Sequence, residues 1–190
     1  MARIPTITDR ETLTPEHRPV WDRITERRGP HIGPFALLLH SPPLADRTAA
    51  LGAHIRFQSS LTPGDRELAI LTVARTLDCR FEWAAHLPLA RQAGVREAAI
   101  TVLRHGQDPE DLTGDEAVLV RYVRQLLQAH RVDDATFEAL QARLGLEPLV
   151  ELTATVGYYA MIACTLNAFA VDPPPAAEPL PEIQNREGPS

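Results

Sequence analysis

The chain has 190 residues, 44% of them hydrophobic and 23% charged, with a formal net charge of −6. Those proportions fit one globular domain large enough for a proper core. The acidic balance, with Lys+Arg made up wholly of scattered arginines, argues against nucleic acid and anionic membrane as partners, and two cysteines form no disulfide framework and suit a reducing cytoplasm.

The N-terminal stretch lacks the apolar centre of a secretory signal and reads as an extended arm over residues 1–13. Thr14-Pro15-Glu16 predicts a helix start with Thr as N-cap and Pro at the first position. That helix carries Val20, Trp21 and Ile24 on one face and stops before Gly29-Pro30. A short apolar segment follows, containing Phe35 and His40. Ser41-Pro42 then opens a helix from Pro43 to about Gln58, with Leu44, Thr48, Leu51, Ile55 and Phe57 as core candidates. Thr62-Pro63-Gly64-Asp65 is the clearest start signal: an N-cap, Pro at N1 and an acid in the first turn.

Further helices are expected over residues 78–93, 96–104, 114–130 and 133–145 and from Pro148 onward. Their signals are Gly94, His105-Gly106, the capping-box pattern Thr113-Gly114-Asp115-Glu116, and Asp133 with Gly145. Pro88 removes a hydrogen bond to the Ala84 carbonyl and should bend its helix. The uncharged run from Leu152 to Val171 is long enough to span a membrane, but its Thr153, Thr155, Thr165 and Asn167 favour burial inside protein, with Cys164 as core. From Asp172 the tail is Pro-rich and extended, and free to lie across a neighbouring subunit. No alternating run marks a strand. The fold class is all-α, a helical bundle of about seven or eight helices, one domain over residues 1–171 and a tail over 172–190.

Chemistry concentrates in DRELAILTVARTLDCRFEWAAHLPLARQAG, residues 65–94. Cys79, Glu82 and His86 stand at i, i+3 and i+7, which in a helix places them within about 60° on one face. A thiol, a carboxylate and an imidazole in one stripe can pass a proton, and a neighbouring Arg80 and His86 are expected to lower the pKa of Cys79. Glu67 precedes Cys79 by twelve residues, about 120° and about 18 Å along a straight helix. For both to join one site, the chain must turn between Thr76 and Cys79. Glu82 and His86 offer two metal ligands with no third at a supporting spacing, so no metal and no other cofactor is expected.

The spacing Glu67-x11-Cys79-x2-Glu82-x3-His86, inside ELAILTVARTLDCRFEWAAH, resembles the carboxymuconolactone decarboxylase and alkylhydroperoxidase-D-like superfamily, from about Pro34 to Ala170. EWAAHLPLARQAGV looks most like the decarboxylase-named branch. The peroxidase branch has a second Cys where this chain has Glu82. The founding decarboxylases generally lack the Cys and keep the Glu-x3-His. The resemblance implies an alkylhydroperoxidase D-like helical fold, assembly as homotrimers or homohexamers, and a catalytic set of His86, Glu82, Cys79 and Glu67.

Three functions follow. The first is a cofactor-free lyase or isomerase of a small anionic lactone or keto/enol acid, with His86 and Glu82 as the acid–base pair. Arg56, which with His54 precedes the site by one loop, would clamp the substrate's charge, and Trp83, Phe35, His40 and Tyr158 would be pocket walls. The second is a thiol peroxidase in which Cys79 attacks a peroxide and Glu67 and His86 relay protons. The third is a non-catalytic oligomeric binder of small molecules.

Overall fold

The computed structural model describes residues 2–29, 33–174 and 176–183, with the side chains of residues 27 and 28 excepted. The expected stop at Pro30 and the tail beyond residue 183 lie outside the described residues. Those residues form nine α-helices and two 3-10 turns, with no strand among them.

The chain divides into two compact units, residues 1–59 with 165–171, and residues 60–164 with 172–190. In the first, a 3-10 turn at Arg10–Thr12 interrupts the arm and leads to α1, Arg18–Arg28. Helix α1 starts later than Thr14-Pro15 suggests. The Thr14 hydroxyl pairs instead with His17 Nδ1 at 3.0 Å, and Pro19 enters the first turn. Val20 and Ile24 are buried. The apolar segment after Gly33 closes into α2, Phe35–Leu38, a single turn with all four side chains buried. Helix α3, Pro42–Phe57, packs on both. It buries Thr48 and Ile55 as expected, but Leu44, Leu51 and Phe57 are 46–58% exposed, contrary to expectation.

The second unit is built around α4, Pro63–Thr76, whose residues from Glu67 to Arg75 are all buried. Thr62 caps it, its hydroxyl accepting from Asp65 N–H at 3.1 Å. Helices α5, Arg80–Gln92, and α6, Glu97–Arg104, follow and pack on α4. After a 3-10 turn at Pro109–Asp111 come α7, Gly114–Gln128, and α8, Asp134–Leu144. Glu116 reaches back to accept from Thr113 N–H, and Asp133 accepts from Thr136 N–H, as their positions predict.

Helix α9, Leu146–Ala168, begins two residues before Pro148. By length and composition it is apolar enough to cross a membrane, and half of its most apolar window is buried. Leu152, Val156, Tyr159, Ile162 and Leu166 are buried. Leu146 and Val150 are exposed, and so is Cys164, which corrects its reading as core.

The tail packs against its own unit. The Pro181 carbonyl accepts from Arg75, Glu182 pairs with Arg80, Glu178 pairs with Arg91 and Arg104, and Leu180 is buried.

Candidate functional site

The site depends on how α4 gives way to α5. Helix α4 ends with the Cys79 N–H donating to the Ala74 carbonyl at 2.8 Å and the Asp78 N–H to the Arg75 carbonyl at 3.2 Å. This is a Schellman closure with Asp78 in the left-handed position that glycine usually takes, φ 50°. The Arg75 guanidinium holds the Asp78 carboxylate beside the turn. The reversal occurs between Thr76 and Cys79, where the twist of a straight helix requires it. It lays α5 back along α4, so Glu67, early in α4, comes opposite His86 in the middle of α5.

Glu67 Oε2 lies 2.8 Å from His86 Nδ1, and Glu82 Oε2 lies 3.4 Å from His86 Nε2. All three residues are buried, between 3% and 6% exposed. Tyr159 of α9 sets its ring edge-on to the imidazole, centroids 5.0 Å apart at 88°, and Tyr158 stacks edge-on against Tyr159. Arg66 Nε approaches the other Glu67 oxygen, Oε1, at 3.5 Å. The two glutamates address different nitrogens of one ring and do not converge on a common point. Among the described residues no group of His, Cys, Asp and Glu could hold a metal ion.

A proton inventory follows once Glu67 is taken as ionised and as the acceptor from Nδ1–H. A neutral imidazole has one N–H and one bare nitrogen. With Glu67 ionised and accepting from Nδ1–H, Nε2 is bare, and an ionised Glu82 would face it lone pair to lone pair. One more proton therefore sits between Nε2 and Glu82, on one or the other. The tight 2.8 Å contact anchors the ring. The contact at Nε2 is looser, 3.4 Å, a geometry that resembles an Asp–His pair in having one tightly held ring nitrogen.

Cys79 stands apart from the expected stripe. It is the N-cap of α5, with extended backbone, and not a residue of the helix face. Asp78, read as the start of the helix, lies in the preceding turn. The thiol is fully buried. Burial pushes it up to about 12, against the downward pull of the Glu82 and Phe81 backbone N–H groups, and the Glu82 charge pushes it further the same way. The expected lowering by Arg80 and His86 is thus reversed. Arg80 is occupied by Glu182 at 2.6 Å. Cys79 and Cys164 are both free thiols.

Of the proposed pocket walls, Trp83 belongs to this unit. It is fully buried with an indole N–H that lacks an acceptor, and the Arg104 guanidinium lies 5.8 Å from its ring. Tyr158 belongs to it too, edge-on to Tyr159, whereas Phe35, His40 and the expected clamp Arg56 belong to the first unit. Phe35 is buried, His40 Nε2 is 2.7 Å from the Pro5 carbonyl, and the Arg56 guanidinium sits 5.3 Å over the Phe57 ring. Sequence reasoning missed two residues at the site. Tyr159 is embedded in an apolar run where nothing distinguishes it from core. Arg66 adjoins Glu67 and was legible only as an ordinary helix charge.

The fold is shared with two solved proteins. One is described as an alkylhydroperoxidase AhpD core, an uncharacterized peroxidase-related protein from Ralstonia eutropha JMP134, 19% identical over 92% of this chain and 93% of that one, with a TM-score of 0.72. The other is an uncharacterized peroxidase-related protein from Silicibacter sp. TM1040, 16% identical over 92% of this chain and 94% of that one, with a TM-score of 0.68. At that identity the likeness concerns the fold: an all-helical, AhpD-like architecture. No protein of curated function is significantly similar to the chain. Residues 42–120, the stretch that carries Glu67, Cys79, Glu82 and His86, match the Carboxymuconolactone decarboxylase family.

Proposed function

We propose that the chain is a cofactor-free lyase or isomerase that moves a proton to or from carbon in a small lactone or keto/enol acid. The observation that carries this reading is the buried line Glu67–His86–Glu82, at 2.8 and 3.4 Å. Loss of CO2 from such an acid breaks a carbon–carbon bond and leaves the electron pair in an enolate. The proton shared by Nε2 and Glu82 would quench that carbon. Solvent returns a proton to the pair, and Glu67 steadies the imidazolium while it exists. For an isomerase the same pair takes the proton from one carbon and returns it to another. The family match over residues 42–120 supports the reading.

The test follows CO2 release and deuterium incorporation at carbon from carboxymuconolactone and a panel of β-keto acids in D2O. Turnover is expected in the unaltered chain and a fall of about 10²–10⁴ in His86→Asn, with helicity retained. Equal turnover in His86→Asn overturns the proposal.

A second reading rests on Cys79 as the N-cap residue of α5, where the Phe81 and Glu82 backbone N–H groups pull its pKa downward. A Cys79 thiolate would take an oxygen from a peroxide, giving a sulfenic acid and an alcohol or water, and an external thiol would reduce it. The buried, protonated thiol counts against it. Peroxide turnover lost in Cys79→Ser, with lyase turnover absent from the unaltered chain, would favour it.

A further inference from the structure

The acid–base array carries a difficulty for an acidic substrate. Glu67, His86 and Glu82 hold two protons among two carboxyl groups and an imidazole, one fewer than full neutrality requires. They therefore bear a net negative charge and repel an incoming anion. A cation must stand beside them if the substrate is a carboxylate. Arg56, the candidate from sequence, stacks on Phe57 in the other unit.

Arg66 meets the requirement. Its side chain is 15% exposed, and its contact with Glu67 is loose, 3.5 Å from Nε to Oε1. Nε itself is buried without a hydrogen-bond acceptor. Other arginines of the same unit are held closely: Arg80 by Glu182 at 2.6 Å, Arg91 by Glu97 at 2.6 Å, and Arg75, Arg96 and Arg143 by Asp78, Glu116 and Asp65. A mostly buried guanidinium whose one carboxylate contact is this loose has donors to offer, and its fork matches a carboxylate in two parallel hydrogen bonds. The Glu67 carboxylate contacts both groups, Arg66 through Oε1 and the imidazole through Oε2.

Building on the acid–base reading, we infer that Arg66 is the anion-binding residue of this site and selects substrates bearing a carboxylate beside the carbon that His86 serves. Arg66 grips the charge, Glu67 orients the ring, and Nε2 with Glu82 handles the proton. A neutral ester or amide of the same shape leaves the fork unpaired and is rejected.

The experiment titrates sodium malonate, and neutral malonamide as control, into protein with 15N-labelled histidine. The imidazole signals are followed, and His86 is identified by its loss in His86→Asn. Malonate should shift the His86 signal saturably and malonamide should not. Arg66→Gln should weaken malonate by about tenfold or more, the loss of a charged hydrogen bond. Arg66→Lys should recover part of it, and the other histidine signals should stay in place. Equal malonate affinity in Arg66→Gln, or no saturable shift in the unaltered chain, overturns the inference. If Arg66→Gln does not fold, Arg66→Lys decides, because it keeps the charge and loses the fork: weaker malonate binding supports the inference and unchanged binding overturns it. Binding is read without turnover. Arg66-dependent malonate binding in a protein that catalyses no proton transfer removes the acid–base reading alone. Turnover that ignores Arg66 removes this inference alone.

Discussion

At the scale of single residues, the site is governed by which group holds each proton. Glu67 Oε2 holds the imidazole at Nδ1, 2.8 Å away, and an ionised Glu67 accepts from Nδ1–H there. A glutamine there can accept from Nδ1–H or donate to a bare Nδ1, so the tautomer is no longer set. Glu67→Gln is expected to lower kcat by about 10²–10⁴ with KM little changed, the pattern of a lost transition-state interaction. Steady-state kinetics check this, and a change confined to KM would assign Glu67 to binding instead. Cys79 poses the opposite case, a group kept protonated. Its thiol rises from 9.0 to about 12 by burial, so the folded chain holds that proton more tightly than the unfolded one. The resulting stability is fully present below about pH 9 and is lost as pH climbs toward 12, a contribution of up to about 4 kcal/mol. Urea midpoints at pH 8 and pH 11 should therefore converge in Cys79→Ala relative to the unaltered chain. Iodoacetamide at pH 8 should label the exposed Cys164 quickly and Cys79 only on unfolding. Fast labelling of Cys79 in the folded state would restore the thiol chemistry that its burial opposes.

At the scale of elements, the turn from α4 to α5 does the placing. A non-glycine residue in the left-handed region costs about 1–2 kcal/mol, and Asp78 tolerates it with help from Arg75. Asp78→Gly relieves the backbone and loses the ion pair. Asp78→Ala loses the pair and keeps the strain. Asp78→Ala should unfold at lower urea than Asp78→Gly, by about 1 kcal/mol, and the reverse order would mean that the αL assignment is wrong. This turn also marks how far sequence reasoning reached. The need for a reversal between Thr76 and Cys79 was legible, because helical twist is rigid and places Glu67 on the wrong side of a straight rod. The register of α5 was not. Moving its start to Arg80 turns Cys79 from a stripe residue into a cap, and that boundary is set by the Schellman closure. Glu82 and His86 survived the shift because both lie inside the helix and their i, i+4 relation is local. Tyr159 and Arg66 were invisible for the converse reason. Contacts between α9 and α5, and the loosening of an arginine from its neighbours, are tertiary facts with no local pattern.

At the scale of the whole molecule, apolar surface left uncovered is the main feature not explained by the chain itself. Leu146 and Val150 stand one turn apart on α9, 58% and 65% exposed, with Phe137 of the same unit at 41%. In the other unit Leu44 and Leu51 share a face of α3 at 48% and 46%, and Phe57 is 58% exposed. Single exposed apolar residues are ordinary, whereas pairs at helical spacing form stripes that invite a partner surface. The assembly expected from the family resemblance, three or six copies, would supply one. Leu44 and Leu51 were read as core for this reason: an apolar helix stripe predicts that something packs on it, and not whether that something is the same chain. Light scattering should therefore give a mass three or six times 21.0 kDa. Val150→Glu or Leu51→Glu should shift the protein toward smaller species, because a carboxylate in an apolar contact is desolvated without a partner. Helicity should be unchanged, since both positions face outward in the single chain. A monomeric mass for the unaltered protein, or a multiple that neither substitution disturbs, would mean that these stripes serve another surface. For α9, whose apolar length also suits a bilayer, vesicle flotation of the unaltered protein against Val150→Glu would then decide whether that surface is lipid.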